Sequence, residues 1–229
     1  MNYVIVSGAN GFIGSAVIKY LIKQNIHVVA LYKDAYDNIP VSASVTPIKF
    51  SLNNVAALET AVPKAEYDIF YHFAWAGTSG EARTDTQLQL QNAQWTVDSV
   101  NLAYKLGCKR FVGAGSIMEH ETVAAAYAQG NQPGLGYIYG GGKLIAHIMS
   151  KSIAVKLGIE FVWTEITNAY GIGEISPRLV NSTIRKCING EAPQFTAGTQ
   201  QYDFVYIDDV ARAFYLIGKN GKSFHEYVI

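Results

Sequence analysis

The beginning of this chain constrains it most. Tyr3, Val4, Ile5 and Val6 form a short apolar, β-branched run, and Gly8, Gly11 and Gly14 follow at three-residue spacing. Phe12, Ile13, Val17, Ile18, Leu21 and Ile22 then recur with helical period. A short apolar run of this kind reads as a buried parallel strand. Strand, glycine turn and helix N-terminus in immediate succession make a site for a pyrophosphate. Glycines let backbone approach the phosphates, and the unpaired amides with the helix dipole favour negative charge. The alternative is a merely tight strand-to-helix turn. The turn nominates Gly8, Asn10, Gly11, Phe12, Ile13 and Gly14 as dinucleotide contacts.

The rest of the chain alternates strand and helix. Ile26 to Leu31 reads as a second buried strand, Val45 to Phe50 as a third and Asp68 to Phe73 as a fourth, with a short helix over Val55 to Ala61. The fourth ends in the small-residue patch Ala74, Trp75, Ala76, Gly77, where open α/β sheets bind ligands. A helix over Ala82 to Leu106, a strand over Lys109 to Ala114 and a glycine-rich loop from Ser116 to about Gly136 follow. Then come a helix from Tyr137 to Leu157 and a strand from Ile159 to Ile166. This alternation predicts an α/β fold with a doubly wound parallel sheet. Beyond Asn168 the loops lengthen, with helices near Leu179 to Ile188 and Asp208 to Ile217. Residues 1–167 therefore read as a dinucleotide-binding domain and 168–229 as a small substrate lobe, whose last helix and strand return to the sheet.

Composition narrows the partners. The 229 residues carry 18 basic and 18 acidic side chains, so nothing points to nucleic acid or an anionic membrane. No apolar run nears the roughly 20 residues of a membrane span, and the first strand lacks a basic leader. A cytoplasmic location is expected. Cys108 and Cys187 lack metal-ligand spacing and are expected as buried free thiols. The five histidines are scattered, so no metal is expected, and His72 reads as a packed strand residue.

At the end of the second strand an acidic residue would bond the adenosine ribose of NAD. Here stand Tyr32 and Lys33, with Asp34 one step on. A cation suits a ribose phosphate and favours NADP over NAD; alternatively Lys33 is solvated and Asp34 serves the ribose.

Tyr139 and Lys143 are four apart in a predicted helix and share a face. A nearby ammonium favours a phenolate and lowers the phenol's pKa, which suits proton exchange with a carbonyl or alcohol oxygen during hydride transfer. Ser116, at a strand end about two dozen residues earlier, is placed to bond the same oxygen. The bland alternative is a surface tyrosine and a solvated lysine. Tyr137 competes but has no lysine four residues on.

With these residues the chain resembles the extended short-chain dehydrogenase/reductases, the Rossmann-like group of sugar-nucleotide epimerases, dehydratases and 4-keto reductases. Matching stretches are Gly8 to Gly14, Ala74 at its strand end, Asn92 and Thr96, Ser116, Tyr139 to Lys143, Asn168 to Gly171, and Tyr202 to Val210. The resemblance implies a nucleotide-sugar substrate. It also implies Tyr139 as acid–base residue, Lys143 on the nicotinamide ribose and Ser116 on the substrate oxygen. Ala74, Trp75 and Asn92 would lie by the cofactor and Asn168 by the substrate phosphates. The helices around Asn92 and Tyr139 would pair in a homodimer.

The departures shape the choice among activities. Where the family's 4,6-dehydratases carry an Asp–Glu pair after the catalytic hydroxyl, this chain has Ile117 and Met118, so dehydration is not expected. Glu119 comes one place late and is expected to face elsewhere. His120 stands where a tyrosine is usual, Glu165 where an arginine is usual, and Tyr202 where an arginine often precedes Asp203. Arg178, with Arg185 beside it, is the candidate replacement for the diphosphate. The chain also ends earlier than the resemblance implies, through a shortened chain or a reduced lobe. The expectation is an NADP-preferring reductase of a 4-keto sugar nucleotide. The alternatives are a carbon-4 epimerase with retained NAD and a non-catalytic dinucleotide-binding sensor or scaffold.

Overall fold

In a computed structural model the chain forms a seven-stranded, all-parallel sheet between two helical layers. The structure describes residues 1–34 and 36–229, and of Ala56 only the backbone. The strands are β1 (Tyr3–Ser7), β2 (His27–Tyr32), β3 (Val45–Lys49), β4 (Ile69–His72), β5 (Arg110–Ser116), β6 (Glu160–Ile166) and, after two short strands described below, β9 (Glu226–Val228). Their order is β3-β2-β1-β4-β5-β6-β9. Strand order reverses between β1 and β4, which opens the crevice where such sheets take ligands.

Alternation along each strand decides which layer it faces. Val4 and Val6 of β1 pack with Val17, Ile18 and Leu21 of α1 (Phe12–Lys23). Ile5 faces the opposite core, under α3 (Thr86–Lys105) and α5 (Tyr137–Leu157). The short α2 (Leu58–Ala61) lies on that second side. The last helix, α7 (Ile207–Asn220), packs on α1 through Phe214 and Ile217. With β9 paired to β6, the chain's final elements belong to the sheet and its cover. The doubly wound Rossmann-like sheet read from the sequence is the architecture found.

Three local expectations are corrected. The helix expected over Ala82 to Leu106 is broken: Glu81–Thr84 is a 3-10 turn, and Asp85 restarts the chain as the N-cap of α3, its carboxylate accepting the Leu88 amide at 3.0 Å. The expected loop from Ser116 to Gly136 contains α4 (Met118–Tyr127). Its sequence M-E-H-E-T-V-A-A-A-Y has no apolar period to announce it, and Thr122 Oγ1 bonds back to the Met118 carbonyl at 2.7 Å. Cys108 is buried and its thiol pushed up to about 12 by burial, but Cys187, on α6 (Leu179–Ile188), is exposed. Within the long C-terminal loops, β7 (Asn168–Tyr170) and β8 (Phe204–Tyr206) pair in parallel as a separate two-stranded sheet.

Candidate active site at the glycine turn

A cleft of about 980 Å³, open mouth included, runs along the carboxyl ends of β1, β4, β5 and β6. Its floor is the glycine turn. Gly8 has φ +70°, and a Cβ there would press on the Ala74 amide. A Cβ on Gly14 would overlap the Gly8 carbonyl. The turn thus closes only with glycine at these positions, bringing Gly11, Phe12 and Ile13 to the cleft at the start of α1. Four amides at a helix start lack intrahelical partners. A pyrophosphate fits this cradle, and so a dinucleotide does.

The other wall carries Ser116, Tyr139 and Lys143, all lining the cleft and all buried. The Tyr139 hydroxyl is hydrogen-bonded to the Ser116 side chain. Lys143 Nζ donates to the Ala114 carbonyl at 2.7 Å and lies 3.7 Å from the centre of the Trp75 ring. Trp75 is held in turn by Gln89 Oε1, which accepts its Nε1–H at 2.8 Å, while Gln89 Nε2 donates to the carbonyls of Gly77 and Ala82.

Both members of the pair are shifted chiefly by burial. Burial raises the Tyr139 phenol above its ordinary value, and burial pushes the Lys143 ammonium down to about 7. The cations that pull Tyr139 back are Arg83 and Arg178. Lys143 Nζ is 5.9 Å from the Tyr139 ring centre and turned to Trp75, and Arg83 Cζ stacks at 3.9 Å.

Other residues nominated from sequence fall in several places. Arg178, the N-cap of α6, lines the cleft beside Glu174 and Ser176. Arg185 does not reach it and instead donates to the carbonyls of Ile175 and Glu174. Asn92 is buried behind the β4 loop: its side chain bonds both the amide and the carbonyl of Ala76, each at 2.8 Å, and the Leu88 carbonyl. It braces the loop that carries Trp75. Ala74 packs behind Gly8. Asn10, Tyr32 and Lys33 lie outside the cleft; Lys33 is exposed, its Nζ 3.9 Å from Asp34. Asn168 does not line it, and its Nδ2 donates to the Asp203 carbonyl at 3.3 Å. His72 bonds Ser7 Oγ at 2.9 Å and Thr96 Oγ1 at 3.3 Å, and burial holds it down to about 3, so it is a neutral packed residue.

Sequence reasoning missed three groups. Arg83 sits in an unremarkable T-S-G-E-A-R stretch with no periodic signal. Ser176, whose buried Oγ has no hydrogen-bond partner among the described residues, lines the cleft. Glu119 avoids the cleft, as expected, but is buried behind Ser116: Oε1 accepts the Ser116 amide at 2.9 Å and the Trp163 Nε1–H at 3.0 Å. Glu119, His147 and Glu165 form one buried cluster, and the departures His120 and Glu165 are partners at 2.6 Å. No helix among the described residues is long and apolar enough to cross a membrane.

The sequence model of the NAD dependent epimerase/dehydratase family matches residues 4–229. The chain is 25% identical to the CDP-abequose synthase of Salmonella typhimurium over 98% of its own length and 73% of that protein's. It is 23% identical to the dTDP-4-dehydro-6-deoxyglucose reductase of Escherichia coli over 93% of its length and 71% of the relative's. Among solved structures, the Bordetella bronchiseptica enzyme WbmF in complex with NAD+ shares the fold, with a TM-score of 0.82 and 21% identity, covering 99% of this chain and 72% of WbmF.

Proposed function

The chain belongs to the NAD dependent epimerase/dehydratase family, an enzyme family of the extended short-chain dehydrogenase/reductase type, and from that premise we propose that it reduces the 4-keto group of a nucleotide-activated sugar. The observation that carries this reading is the convergence of Ser116, Tyr139 and Lys143 on one cleft with the glycine turn. Ile117 and Met118 leave the dehydratase acid and base positions without a titratable group. Reductases of dTDP-linked 4-dehydro sugars among the relatives support the choice.

The cofactor is NADP by preference, or NAD, held by the glycine turn, with Lys143 on its ribose and Lys33 beyond β2 on the adenosine phosphate. When bound, it supplies the hydride that the carbonyl carbon gains. Ser116 orients the keto oxygen by hydrogen bond, and Tyr139 gives that oxygen its proton, so that ketone, hydride and proton balance to the alcohol. Arg178 takes the diphosphate, with Asn168 once it leaves the Asp203 carbonyl. Exposed Leu90 and Tyr104 on α3, with Ile148, Met149 and Val155 on α5, support a homodimer across these helices, in the cytoplasm.

The test presents purified protein with NADPH or NADH and a panel of CDP-, dTDP- and UDP-linked 4-keto sugars. Cofactor oxidation with a two-hydrogen mass gain in the sugar nucleotide is expected. Tyr139→Phe should lower kcat by about 10²- to 10⁴-fold while cofactor affinity stays within a few fold. No oxidation with any keto sugar, with interconversion of 4-epimers by protein that retains NAD, would replace reduction with epimerisation.

A further inference from the structure

Two positions where this chain departs from the resemblance are partners in space. His120 stands where a tyrosine is usual and Glu165 where an arginine is usual, and His120 Nε2 meets Glu165 Oε2 at 2.6 Å. Both exchanges bring in a side chain that can ligate metal. Beside Glu165 lie Glu119 of α4 and His147 of α5. One donor atom from each of Glu119, His147 and Glu165 falls within 4.8 Å of the other two. The histidines have no metal spacing in the sequence; packing collects two of them here.

The charge balance of this cluster is incomplete. Glu119 and Glu165 are 2% and 4% exposed, and among the described residues each meets only a histidine within ion-pair distance. Two carboxylates this close and this buried repel unless a proton or a cation stands between them. The donors are also held from outside. Glu119 Oε1 accepts the Ser116 amide and the Trp163 Nε1–H, at 2.9 and 3.0 Å. That leaves Oε2, shared in part with Trp163, facing His147 Nδ1 at 3.1 Å. The His147 ring is stacked on Trp163, centres 4.8 Å apart and 9° from parallel. Its other nitrogen, Nε2, is buried, has no hydrogen-bond partner among the described residues and lies 3.5 Å from Glu226 Oε1 of β9. An imidazole that ligates metal through one nitrogen gives its other N–H to a carboxylate, and Glu226, anchored by Lys151, stands in that place.

We propose that Glu119 Oε2, His147 Nδ1 and the Glu165 carboxylate are the protein ligands of a divalent transition-metal site, zinc being the ion that suits one imidazole and two carboxylates. Zinc holds nitrogen and oxygen donors at about 2.0–2.2 Å, which sets tetrahedral donors roughly 3.3–3.6 Å apart. Oε2 and Nδ1 already stand near this spacing, and rotation of the Glu165 side chain closes the third side. The ion replaces the proton that Glu119 and His147 share, and that proton leaves to solvent. His120, exposed beyond Glu165, marks the entrance and steadies the second carboxylate. The ion ties α4, α5 and β6 together behind Ser116, whose amide the other Glu119 oxygen holds. It touches neither cofactor nor substrate.

The test takes the chain through a chelator, dialyses it and titrates it with zinc chloride by calorimetry. No cofactor or substrate is present, so the result stands apart from the activity proposed above. One zinc per chain is expected, with Tm rising by a few degrees at saturating metal. His147→Gln and Glu165→Gln should each lose saturable binding. Glu226→Gln, at a partly exposed position outside the ligand set, should weaken zinc by roughly 10- to 100-fold. A wild-type chain that takes up no zinc saturably overturns the proposal. So does uptake that persists unchanged in folded His147→Gln or Glu165→Gln, which would be an adventitious ion only. Cobalt(II) in place of zinc needs no variant: a four-coordinate site gives strong visible bands, and the weak bands of a six-coordinate aqua-type ion overturn the inference.

Discussion

The Glu119 carboxylate accepts the backbone amide of Ser116 at 2.9 Å. A buried anion thus stands directly behind the candidate catalytic hydroxyl, tied also to Trp163 and, at 3.1 Å, to His147. Its charge is the chief influence keeping Lys143 protonated, against burial and against Arg83. Lys143 also faces His72 of β4 and Tyr139 of its own helix.

Glu119→Gln keeps an acceptor near the Ser116 amide and removes the charge. Lys143, already pushed down to about 7, should then lose its proton at still lower pH. The alkaline limb of cofactor affinity should move down by about one unit, read by fluorescence titration with NADPH across pH. A limb that stays in place would leave Glu119 as packing.

Asn92 gives the second prediction. Two of its three hydrogen bonds satisfy both polar groups of Ala76 and so fix the loop that holds Trp75 under Lys143. Asn92→Ala strands two backbone groups and should cost about 1–3 kcal/mol. Amide exchange at Ala76 should rise and cofactor affinity fall together. Weakened binding with unchanged exchange at Ala76 would instead make Asn92 a direct contact.

What the sequence made legible follows from how each signal is physically encoded. The glycine turn is legible because a positive φ at Gly8 and contact at Gly14 exclude side chains, and that exclusion is written into residue type. The β-strands are legible because burial on both faces demands unbroken apolar runs such as Val4 to Val6. Tyr139 and Lys143 declare a shared helical face by spacing alone. Arg83 and Glu119 could not be placed this way: each acts across a gap between elements that only tertiary packing closes. Spacing likewise puts two side chains on one face but does not say that Lys143 turns to Trp75. Helix α4 was hidden because its apolar residues bunch at its C-terminal end, Val123 to Tyr127, without helical period.

Lys33 carries the third prediction. Its side chain is exposed beside Asp34 at the end of β2, where a ribose phosphate would find a cation. Lys33→Ala should weaken NADPH binding by about 1 kcal/mol, some fivefold, at low salt, and leave NADH nearly unchanged. Equal losses for the two cofactors, measured side by side by calorimetry, would remove Lys33 from the adenosine end.

Glu165 is buried where the resemblance expects an arginine, bonded at 2.6 Å to the exposed His120. Burial raises its pKa above the ordinary 4.5, the His120 bond opposes this, and nearby Glu119 adds to it. His147 also faces it. A carboxyl whose folded value is raised binds its proton more tightly in the folded state. Its contribution is therefore fully present below about 4.5 and is lost as pH climbs through the raised value. Glu165→Gln keeps a neutral polar group in the same space and lacks this loss. The Tm of the variant relative to wild type should accordingly rise as pH increases from about 4.5 toward neutrality. Parallel Tm curves over that window, from calorimetry at matched ionic strength, would show that the Glu165 charge is fully compensated by His120 and His147.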